Sequence, residues 1–290
     1  MIRRAPPVFD PDIYRLCNPD IAHLAANDLA EHFRTFGEAE GRRSNALGSR
    51  EDFAALVAPE ARALEIGPYF SPLLHGPNVA YFDVRSRAEM LERAEAEGFD
   101  GSTVPEIDYV SATGDLSIVS ETFDAVLSSH AIEHQPDLIA HLRDVEGLLR
   151  PGGAYYVLAP DKRYCFDHFI PESTVAHIVQ AHADGRTAHA LASVVEHYAL
   201  TTHNECPRHW AGDHGTFMQD GAPRTRAGIA AYEAANGGYL DVHAWYFTPD
   251  SARVVFPTLR ELDYTTLELE RLYPTRFNTF EFWFILRKPA

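Results

Sequence analysis

The sequence FDAVLSSHAIEHQPDLIAHLRDVEGLLRPGGAYYVLA, at residues 123–159, contains two apolar strands and the helix that joins them. FDAVLSS and AYYVLA are continuous apolar runs, which are typical of strands buried on both faces of a sheet. The segment between them has helical periodicity, begins at Pro136-Asp137 and ends before Pro151-Gly152-Gly153. This order predicts two parallel strands joined by a right-handed crossover.

The same alternation of strands and helices continues on both sides of this stretch. Strands are predicted at residues 61–66, 79–84 and 108–112, and a helix is predicted at 86–99. Downstream, a helix begins at the cap signal Thr248-Pro249-Asp250-Ser251, and strands follow at 264–273 and 281–288. The pattern predicts an α/β fold with a doubly wound, Rossmann-like sheet.

Two regions fall outside this alternation. Residues 1–46 carry two short helical patterns, at 11–17 and 21–36, and are predicted to form a small N-terminal helical module. Residues 47–290 are predicted to form the main domain. Between 161 and 242 the strand signal is lost, and the histidine-rich sequence there predicts a helical insertion after the fifth strand, which forms the substrate pocket or lid.

Composition excludes several classes of function. The chain has 290 residues, of which 46% are hydrophobic, enough for a sizeable core. Its formal net charge of −17 disfavours nucleic acid as a partner, and no run approaches the ~18 apolar residues of a membrane span. The start of the sequence lacks the apolar core of a signal peptide, and the three cysteines are widely spaced. We therefore expect a cytoplasmic protein; the oligomeric state is left open.

Two residues at the ends of predicted strands indicate a nucleoside site. Gly67 follows the first strand, at the edge where open α/β sheets bind ligands. Asp83 ends the second strand, where a carboxylate can accept both hydroxyls of a ribose. Tyr69 stands where a phosphate-binding loop would have a second glycine, so a nucleoside without phosphates fits better.

The motifs LEIGPYFSPL, YFDV, GDLSIVSETFDAVLSSHAIEH and LLRPGGAYYVLAP resemble the successive motifs of class I S-adenosylmethionine-dependent methyltransferases. This resemblance implies a seven-stranded sheet with the last strand antiparallel, S-adenosyl-L-methionine as cofactor and S-adenosyl-L-homocysteine as product. It also implies a cofactor site made of Glu65, Gly67 and Pro68 at the methionine end, Asp83 at the ribose, Val84, Asp115 and Leu116 at the adenine, and Ser129 and His130 beside the sulfonium.

Methyl transfer from a sulfonium is an in-line displacement, and most of its catalysis can come from positioning the acceptor. A hydroxyl acceptor also benefits from a base, for which histidine is the natural candidate. We therefore take His134, together with His130 and Asp161, as catalytic candidates. A capping or packing role for His134 beside Glu133 explains its position equally well.

The segments PDKRYCFDHF, TTHNECPRHW and DVHAWYFTPDS resemble one branch of this family, which is associated with surface-polysaccharide and other glycan gene clusters. Residues 9–45 also resemble a short module found beside glycan-processing domains. The two resemblances imply glycan biosynthesis, with O-methylation of a sugar or glycan-related small molecule. Substrate contacts are expected from Arg163, Tyr164, His168, His203 and His243. Asp161 and Arg163 fit a structural ion pair equally well.

A group of metal-ligating residue types, His203, Cys206, His209, Asp213 and His214, lies within the insertion. Their spacing matches no strong metal motif, so a divalent metal is not favoured and no metal ligand is assigned. Two alternatives remain open: a metal-dependent enzyme that uses this cluster, and a binding or scaffold protein that keeps the methyltransferase fold without turnover.

Overall fold

The computed structural model describes residues 5–290; residues 1–4, the start of the predicted N-terminal module, lie outside the described residues. Seven strands form one sheet in the order β3-β2-β1-β4-β5-β7-β6. The strands are β1 (Ala63–Ile66), β2 (Val79–Asp83), β3 (Tyr109–Val110), β4 (Phe123–Ser129), β5 (Leu149–Pro160), β6 (Glu268–Tyr273) and β7 (Glu281–Arg287).

The pairing of the strands confirms the predicted fold class. Neighbouring strands from β3 to β5 pair in parallel, whereas β7 is antiparallel to both β5 and β6. Ile66 at the end of β1 is in register with Phe82 of β2 and Ser128 of β4. The loops that follow these three strands therefore leave the sheet at the same edge.

The helices of the described residues are α1 (Pro11–Cys17), α2 (Ala26–His32), α3 (Arg50–Ala54), α4 (Arg87–Glu97), α5 (Leu138–Leu148), α6 (Val175–Ala183), α7 (Leu191–Leu200), α8 (Cys206–Trp210), α9 (Gly221–Ala235) and α10 (Pro249–Glu261). Side-chain caps start the helices that cross the sheet. Asp137 accepts from the backbone of Ala140, while Ser86 and Thr248 begin α4 and α10 with reciprocal capping boxes.

The core lies on both faces of the sheet, as the continuous apolar strands predicted. Along β5, Tyr155, Val157 and Ala159 belong to one apolar cluster, and the alternate residues Tyr156 and Leu158 belong to the other. This alternation follows from the two-residue period of a strand. All five side chains are buried, so the strand is covered on both sides.

Several boundaries differ from those predicted. The helix expected at 21–36 begins only at Ala26, because Pro19–Ile21 forms a separate 3₁₀ turn, and it continues as a π-helical turn over Phe33–Gly37. β5 begins at Leu149 rather than at residue 154, with a register shift against β4. The helices α8 and α9 of the insertion were not predicted, because glycine and proline interrupt the apolar pattern of that sequence.

The N-terminal region has a small apolar cluster of its own, in which Phe9 packs on Tyr14, Leu29 and Phe33. It joins the rest of the protein through apolar packing of Ala5 and Val8 on one face of the sheet and through polar contacts, including the hydrogen bond from the Phe277 backbone to the Gly41 carbonyl at 2.8 Å. The domain boundary at residue 46 stays a prediction. Within residues 5–290, no helix has the length and apolar character needed to cross a membrane.

Candidate active site

A cavity of about 480 Å³ opens at the edge where β1, β2 and β4 end. The sheet side contributes Glu65, Gly67, Pro68, Asp83, Val84, Leu116, Ser129, His130 and His134. The insertion closes the other side with Thr187, Ala188, His189, Gly237, Gly238, Tyr239 and Asp241. The structure therefore brings together most of the residues that were predicted to bind the cofactor.

The loop after β1 needs a left-handed backbone at two places. Gly67 has φ 69°, and Tyr69, where a second glycine was missing from the sequence, has φ 50°. A non-glycine residue in this region costs roughly 1–2 kcal/mol. The Tyr69 ring stacks on Phe70 at 3.8 Å, and its hydroxyl donates to Glu97 at 3.0 Å. These contacts hold Tyr69 in the conformation that a glycine would adopt freely.

Glu65 fixes the next part of this loop from inside the protein. Its carboxylate is 1% exposed and accepts hydrogen bonds from the backbone of Leu73, at 2.9 Å, and of Leu74, at 2.8 Å. Burial raises the pKa of Glu65 to about 7, although these donors oppose the rise. The group thus positions the loop and presents a titratable carboxyl at the cavity wall.

Asp83 ends β2 with its carboxyl group at the cavity. The residue is 6% exposed, and Oδ1 accepts from the backbone N–H of Arg85 at 3.1 Å. Burial raises the pKa of Asp83, and the nearby backbone N–H donors offset only part of the rise. A partly desolvated carboxylate of this kind is suited to accept hydrogen bonds from ligand hydroxyls.

Asp115 is the one predicted cofactor residue that does not line the cavity, although Gly114 and Leu116 on either side do. Its exposed carboxylate accepts from the backbone of Ser117 at 2.9 Å and so begins a 3₁₀ turn. Hydrogen bonds from Ser117 hold the pKa of Asp115 below its usual range. In this structure Asp115 makes the contacts of a turn residue.

Ser129 and His130 end β4 and are held by a network of charged groups. The Arg50 guanidinium donates to Ser129 Oγ, and it lies 3.5 Å from the carboxylate of Glu281. His130 has φ 51°, and its Nε2 lies 2.9 Å from Glu281 Oε2. Burial alone would raise the pKa of Glu281, but the hydrogen bond with His130 leaves it lower than usual.

His134 lines the cavity from the 3₁₀ turn Ile132–His134. Its Nδ1 donates to the Val242 carbonyl at 3.1 Å, which leaves Nε2 as the nitrogen with a free lone pair. Burial, together with the neighbouring His243, lowers the pKa of His134 to about 3. The ring is therefore neutral at pH 7 and, in this state, a weak base.

Residues 67–157 match a family model described as "Methyltransferase domain". This segment, which is less than half of the chain, is therefore similar to methyltransferase domains. Over 52 residues it is 42% identical to the ubiquinone biosynthesis O-methyltransferase of Parvibaculum lavamentivorans. That alignment covers 18% of this chain and 21% of the relative, so the chain spans about a fifth of the length of the curated relative it matches.

Solved structures resemble the methyltransferase domain only distantly. A methyltransferase from Clostridium acetobutylicum that depends on S-adenosylmethionine shares 10% identity over 91% of this chain and 99% of its own, with a TM-score of 0.41. A candidate zinc-dependent alcohol dehydrogenase from Rhodobacter sphaeroides shares 14% identity over 90% and 98%, with a TM-score of 0.45. At these scores neither likeness bears on function.

Three residues predicted to act on the substrate, Asp161, Arg163 and Tyr164, are not among the residues that line the cavity. Asp161 is fully buried, and its carboxylate accepts from the Arg163 guanidinium, at 2.9 and 2.6 Å, and from the Thr275 hydroxyl, at 2.6 Å. Tyr164 stacks on Trp210 at 3.8 Å. Asp161 and Arg163 thus form the ion pair that was the alternative explanation of their spacing, and their catalytic and substrate-binding roles stay predictions.

Four histidines of the insertion, His168, His203, His209 and His214, form what we call the outer cluster. It does not line the cavity. His168 stacks on His214 at 3.7 Å, and His209 Nδ1 lies 3.1 Å from His214 Nδ1. His209 Nε2 donates to the His203 carbonyl at 3.0 Å. The structure thus places the predicted substrate residues His168 and His203 in a mutually bonded group, away from the cavity.

A second group, Glu133, His134 and His243, forms what we call the inner cluster. Ligand atoms of these three side chains lie within 4.8 Å of one another. His243, predicted as a substrate contact, is buried behind His134 with the ring centroids 4.7 Å apart. Sequence reasoning gave Glu133 no role of its own, because nothing local shows that residue 243 returns to it.

Sequence reasoning also missed several polar residues that line the cavity: Arg50, Arg93, His189, Tyr239 and Asp241. Asp241 is the first residue of the segment DVHAWYFTPDS, whose resemblance to one branch of the family could have indicated it. Tyr239 lies two residues before that segment. Arg50 precedes the first strand and His189 lies between two helices, where no local pattern indicates a ligand.

Proposed function

We propose that this protein transfers a methyl group from S-adenosylmethionine to an oxygen atom of a sugar or glycan-related small molecule. The observation that carries this proposal is the two-sided cavity. One side consists of the strand ends that hold Gly67 and Asp83, and the other consists of polar side chains of the insertion. A cavity built in this way has room for a nucleoside cofactor and an adjacent acceptor.

The cofactor side is supported by three features. Gly67 lets a ligand approach the backbone after β1, because glycine has no side chain. Its φ of 69° is also a conformation that glycine adopts readily. Asp83 and Leu116 also line the cavity, which supports a ribose bound to the Asp83 carboxylate and a base packed on the Leu116 side chain. All three belong to the segment that matches the methyltransferase domain.

The acceptor side supports a substrate with several hydroxyl groups. Tyr239, His189 and Asp241 face the cavity from the insertion, and Arg93 Nη2 lies 3.3 Å from Asp241 Oδ2. Carboxylates and imidazoles bond sugar hydroxyls, and aromatic rings stack on the apolar faces of sugar rings. The curated relative is described as an O-methyltransferase, which supports oxygen as the methylated atom.

Methyl transfer requires the acceptor oxygen to lie in line with the bond from sulfur to the methyl carbon. S-adenosylmethionine supplies the methyl group and a neutral thioether leaving group. The chain contributes by orienting the two reactants: Ser129 and His130 hold the end of β4, and the insertion limits access of water. His134 in its observed state is too weak a base to take the acceptor proton alone.

Calorimetric titration with S-adenosylmethionine and S-adenosylhomocysteine tests the cofactor half of the proposal. We expect micromolar binding, roughly −8 kcal/mol. Asp83→Asn should weaken both ligands by about 1–3 kcal/mol, because a buried acceptor is lost. The matched control is Asp28→Asn, an exposed position on α2 that should leave both affinities unchanged. Folded wild-type protein that binds neither ligand would disprove the cofactor assignment.

The acceptor half needs a separate assay. The protein is incubated with methyl-labelled S-adenosylmethionine and either sugar nucleotides and short oligosaccharides or phenols, and label transfer is measured. We expect transfer to a sugar hydroxyl. Transfer to phenols alone would exclude the sugar class, and cofactor binding without transfer to any acceptor would favour a scaffold protein without turnover.

A further inference from the structure

The inner cluster contains a buried carboxylate that nothing in the described residues satisfies. Glu133 is fully buried, and neither of its carboxylate oxygens has a hydrogen-bond partner in residues 5–290. The nearest histidine nitrogens are His130 Nδ1, 3.6 Å from Oε1, and His243 Nε2, 3.8 Å from the same oxygen. A buried charge without hydrogen bonds or a close partner is strongly unfavourable.

The backbone holds the three residues of this cluster together independently of their side chains. The Glu133 carbonyl accepts from the backbone N–H groups of Ala244, at 2.7 Å, and Trp245, at 3.1 Å. The Trp245 indole also donates to the Gln135 carbonyl at 2.6 Å. These bonds tie the segment around His243 to the turn after β4, so the proximity of Glu133 and His243 is built into the fold.

A hydrogen bond occupies Nδ1 of each histidine ring in the inner cluster and leaves Nε2 as the nitrogen that can bind an ion. His243 Nδ1 donates to Asp167 Oδ2 at 2.6 Å, and His134 Nδ1 donates to the Val242 carbonyl at 3.1 Å. When both rings are neutral, the lone pair of each ring is on Nε2. Histidines that bind metals are oriented by such carboxylate or carbonyl partners.

The distances suit a single ion. Metal–nitrogen bonds of about 2.0–2.1 Å place two ligands of one ion at most about 4.2 Å apart. The Glu133 Oε1 to His243 Nε2 distance is 3.8 Å, and the full set lies within 4.8 Å. A side-chain shift of less than about 1 Å therefore completes the set. We propose that Glu133, His134 and His243 bind a divalent transition metal ion.

Two imidazoles and one carboxylate favour zinc or a similar ion over magnesium, which prefers oxygen ligands. A protonated His243 paired with Glu133 is the competing explanation. At 3.8 Å this pair makes no hydrogen bond and leaves both carboxylate oxygens unsatisfied. Asp167 Oδ1 and His197 Nδ1 nearby also lack partners within the described chain, so the whole pocket has more polar atoms than the protein satisfies.

The role of the ion rests on the proposed methyltransferase function. His134 lines the cavity, whereas Glu133 and His243 are buried and do not line it, so an acceptor in the cavity would reach the ion from the side of His134. An acceptor hydroxyl bound there releases its proton to water more readily. Its oxygen then bonds to the methyl carbon, while the electron pair of the broken sulfur–methyl bond returns to sulfur. His134 becomes a ligand in this arrangement rather than the base.

The test uses full-length protein freed of metal with a chelator and titrated with Co²⁺, whose visible absorption reports on its coordination. We expect one equivalent to bind, and zinc to displace it. Glu133→Gln should weaken binding more than about 100-fold, and Asp167→Asn by about 10- to 100-fold. His214→Asn, the control from the outer cluster, should change it less than about twofold.

Thermal melting in chelator checks that each variant folds, and His134→Gln replaces Glu133→Gln if the latter does not. Absence of stoichiometric Co²⁺ binding to the wild type would overturn the inference, as would binding that Glu133→Gln retains and His214→Asn loses. Titration of the metal-free protein with S-adenosylmethionine separates the two proposals. Metal binding without cofactor binding would defeat the proposed function alone, and cofactor binding without metal would defeat this inference alone.

Discussion

The two histidine clusters of this protein differ in how their polar atoms are satisfied. In the outer cluster, His209 bonds to His214 and to the His203 carbonyl, and His168 stacks on His214. In the inner cluster, both carboxylate oxygens of Glu133 are buried without a hydrogen-bond partner in the described chain. Ligand atoms of His168, His209 and His214 in the outer cluster also lie within 4.8 Å of one another, but no buried side-chain atom of the outer cluster lacks a hydrogen-bond partner in residues 5–290, as both carboxylate oxygens of Glu133 do.

This difference shows why a high number of histidines in one stretch of sequence is a poor guide to a ligand site. The outer histidines lie within residues 168–214 and attract attention as a group. The inner residues lie in two segments, 133–134 and 243, that meet only through the fold. Unsatisfied buried polar atoms, rather than the number of neighbouring histidines, identify the position where a ligand is expected.

The largest expected difference between the clusters is in turnover. His134→Ala should lower kcat more than about 100-fold, because a ligand of the proposed metal ion is lost, while affinity for S-adenosylmethionine stays within about threefold. His214→Ala in the outer cluster should leave kcat within about twofold. Steady-state kinetics and calorimetry measure both quantities. An equal loss of kcat in the two variants would show that the inner cluster is no more important for turnover than the outer cluster.

The unsatisfied carboxylate of Glu133 should lower the free energy of unfolding of the metal-free protein. In chelator, Glu133→Met should raise the free energy of unfolding by about 1–3 kcal/mol, because it removes a buried group without partners and keeps the volume. With excess zinc the wild type should become more stable than Glu133→Met, since only the wild type is stabilised by binding the ion. Urea unfolding under both conditions is the measurement. A variant less stable than the wild type under both conditions would show that Glu133 stabilises the protein without metal.

The sheet and the cofactor side were predictable because their signals are local. The apolar strands show their burial residue by residue, and Gly67 and Asp83 mark the strand ends. The left-handed conformation of Tyr69 was not predictable, since it is maintained by a ring contact with the adjacent Phe70 and by a hydrogen bond to Glu97, which lies 28 residues away in the sequence. Asp115 matched a methyltransferase motif, but the motif did not show that Asp115 itself lies outside the cavity lining. That depends on how the 3₁₀ turn that it begins is oriented relative to the cavity.

Acceptor-side residues were less predictable, for two different reasons. Asp161 and Arg163 are two positions apart, so the sequence showed that they can form an ion pair. It did not show that neither residue lines the cavity. His243 reaches Glu133 only because backbone hydrogen bonds of Ala244 and Trp245 join two distant segments. Contacts of such long range leave no periodic pattern in a single sequence.

The pH dependence of stability should come in part from the outer cluster. Burial, with the neighbouring histidines, lowers the pKa of His209 to about 4, below the unfolded value of about 6.5. The unfolded chain therefore binds more protons between these two values, so stability falls as the pH decreases through this window. His209→Gln should flatten that fall while leaving stability above pH 7 less affected. Urea unfolding from pH 4 to pH 8 measures it, and an unchanged slope would contradict the assignment.

The smallest expected effect concerns the stacked pair of the outer cluster. His168→Phe keeps a flat ring against His214 at 3.7 Å but loses the hydrogen bond from Nδ1 to the Arg163 carbonyl at 2.8 Å. One such bond contributes about 1 kcal/mol to stability, so the variant should unfold at slightly lower urea concentration. Cofactor affinity and Co²⁺ binding should be unchanged, because the outer cluster lies outside the cavity. A loss of Co²⁺ binding in this variant would instead mean that the outer histidines are ligands, and that mutual hydrogen bonding does not exclude a metal.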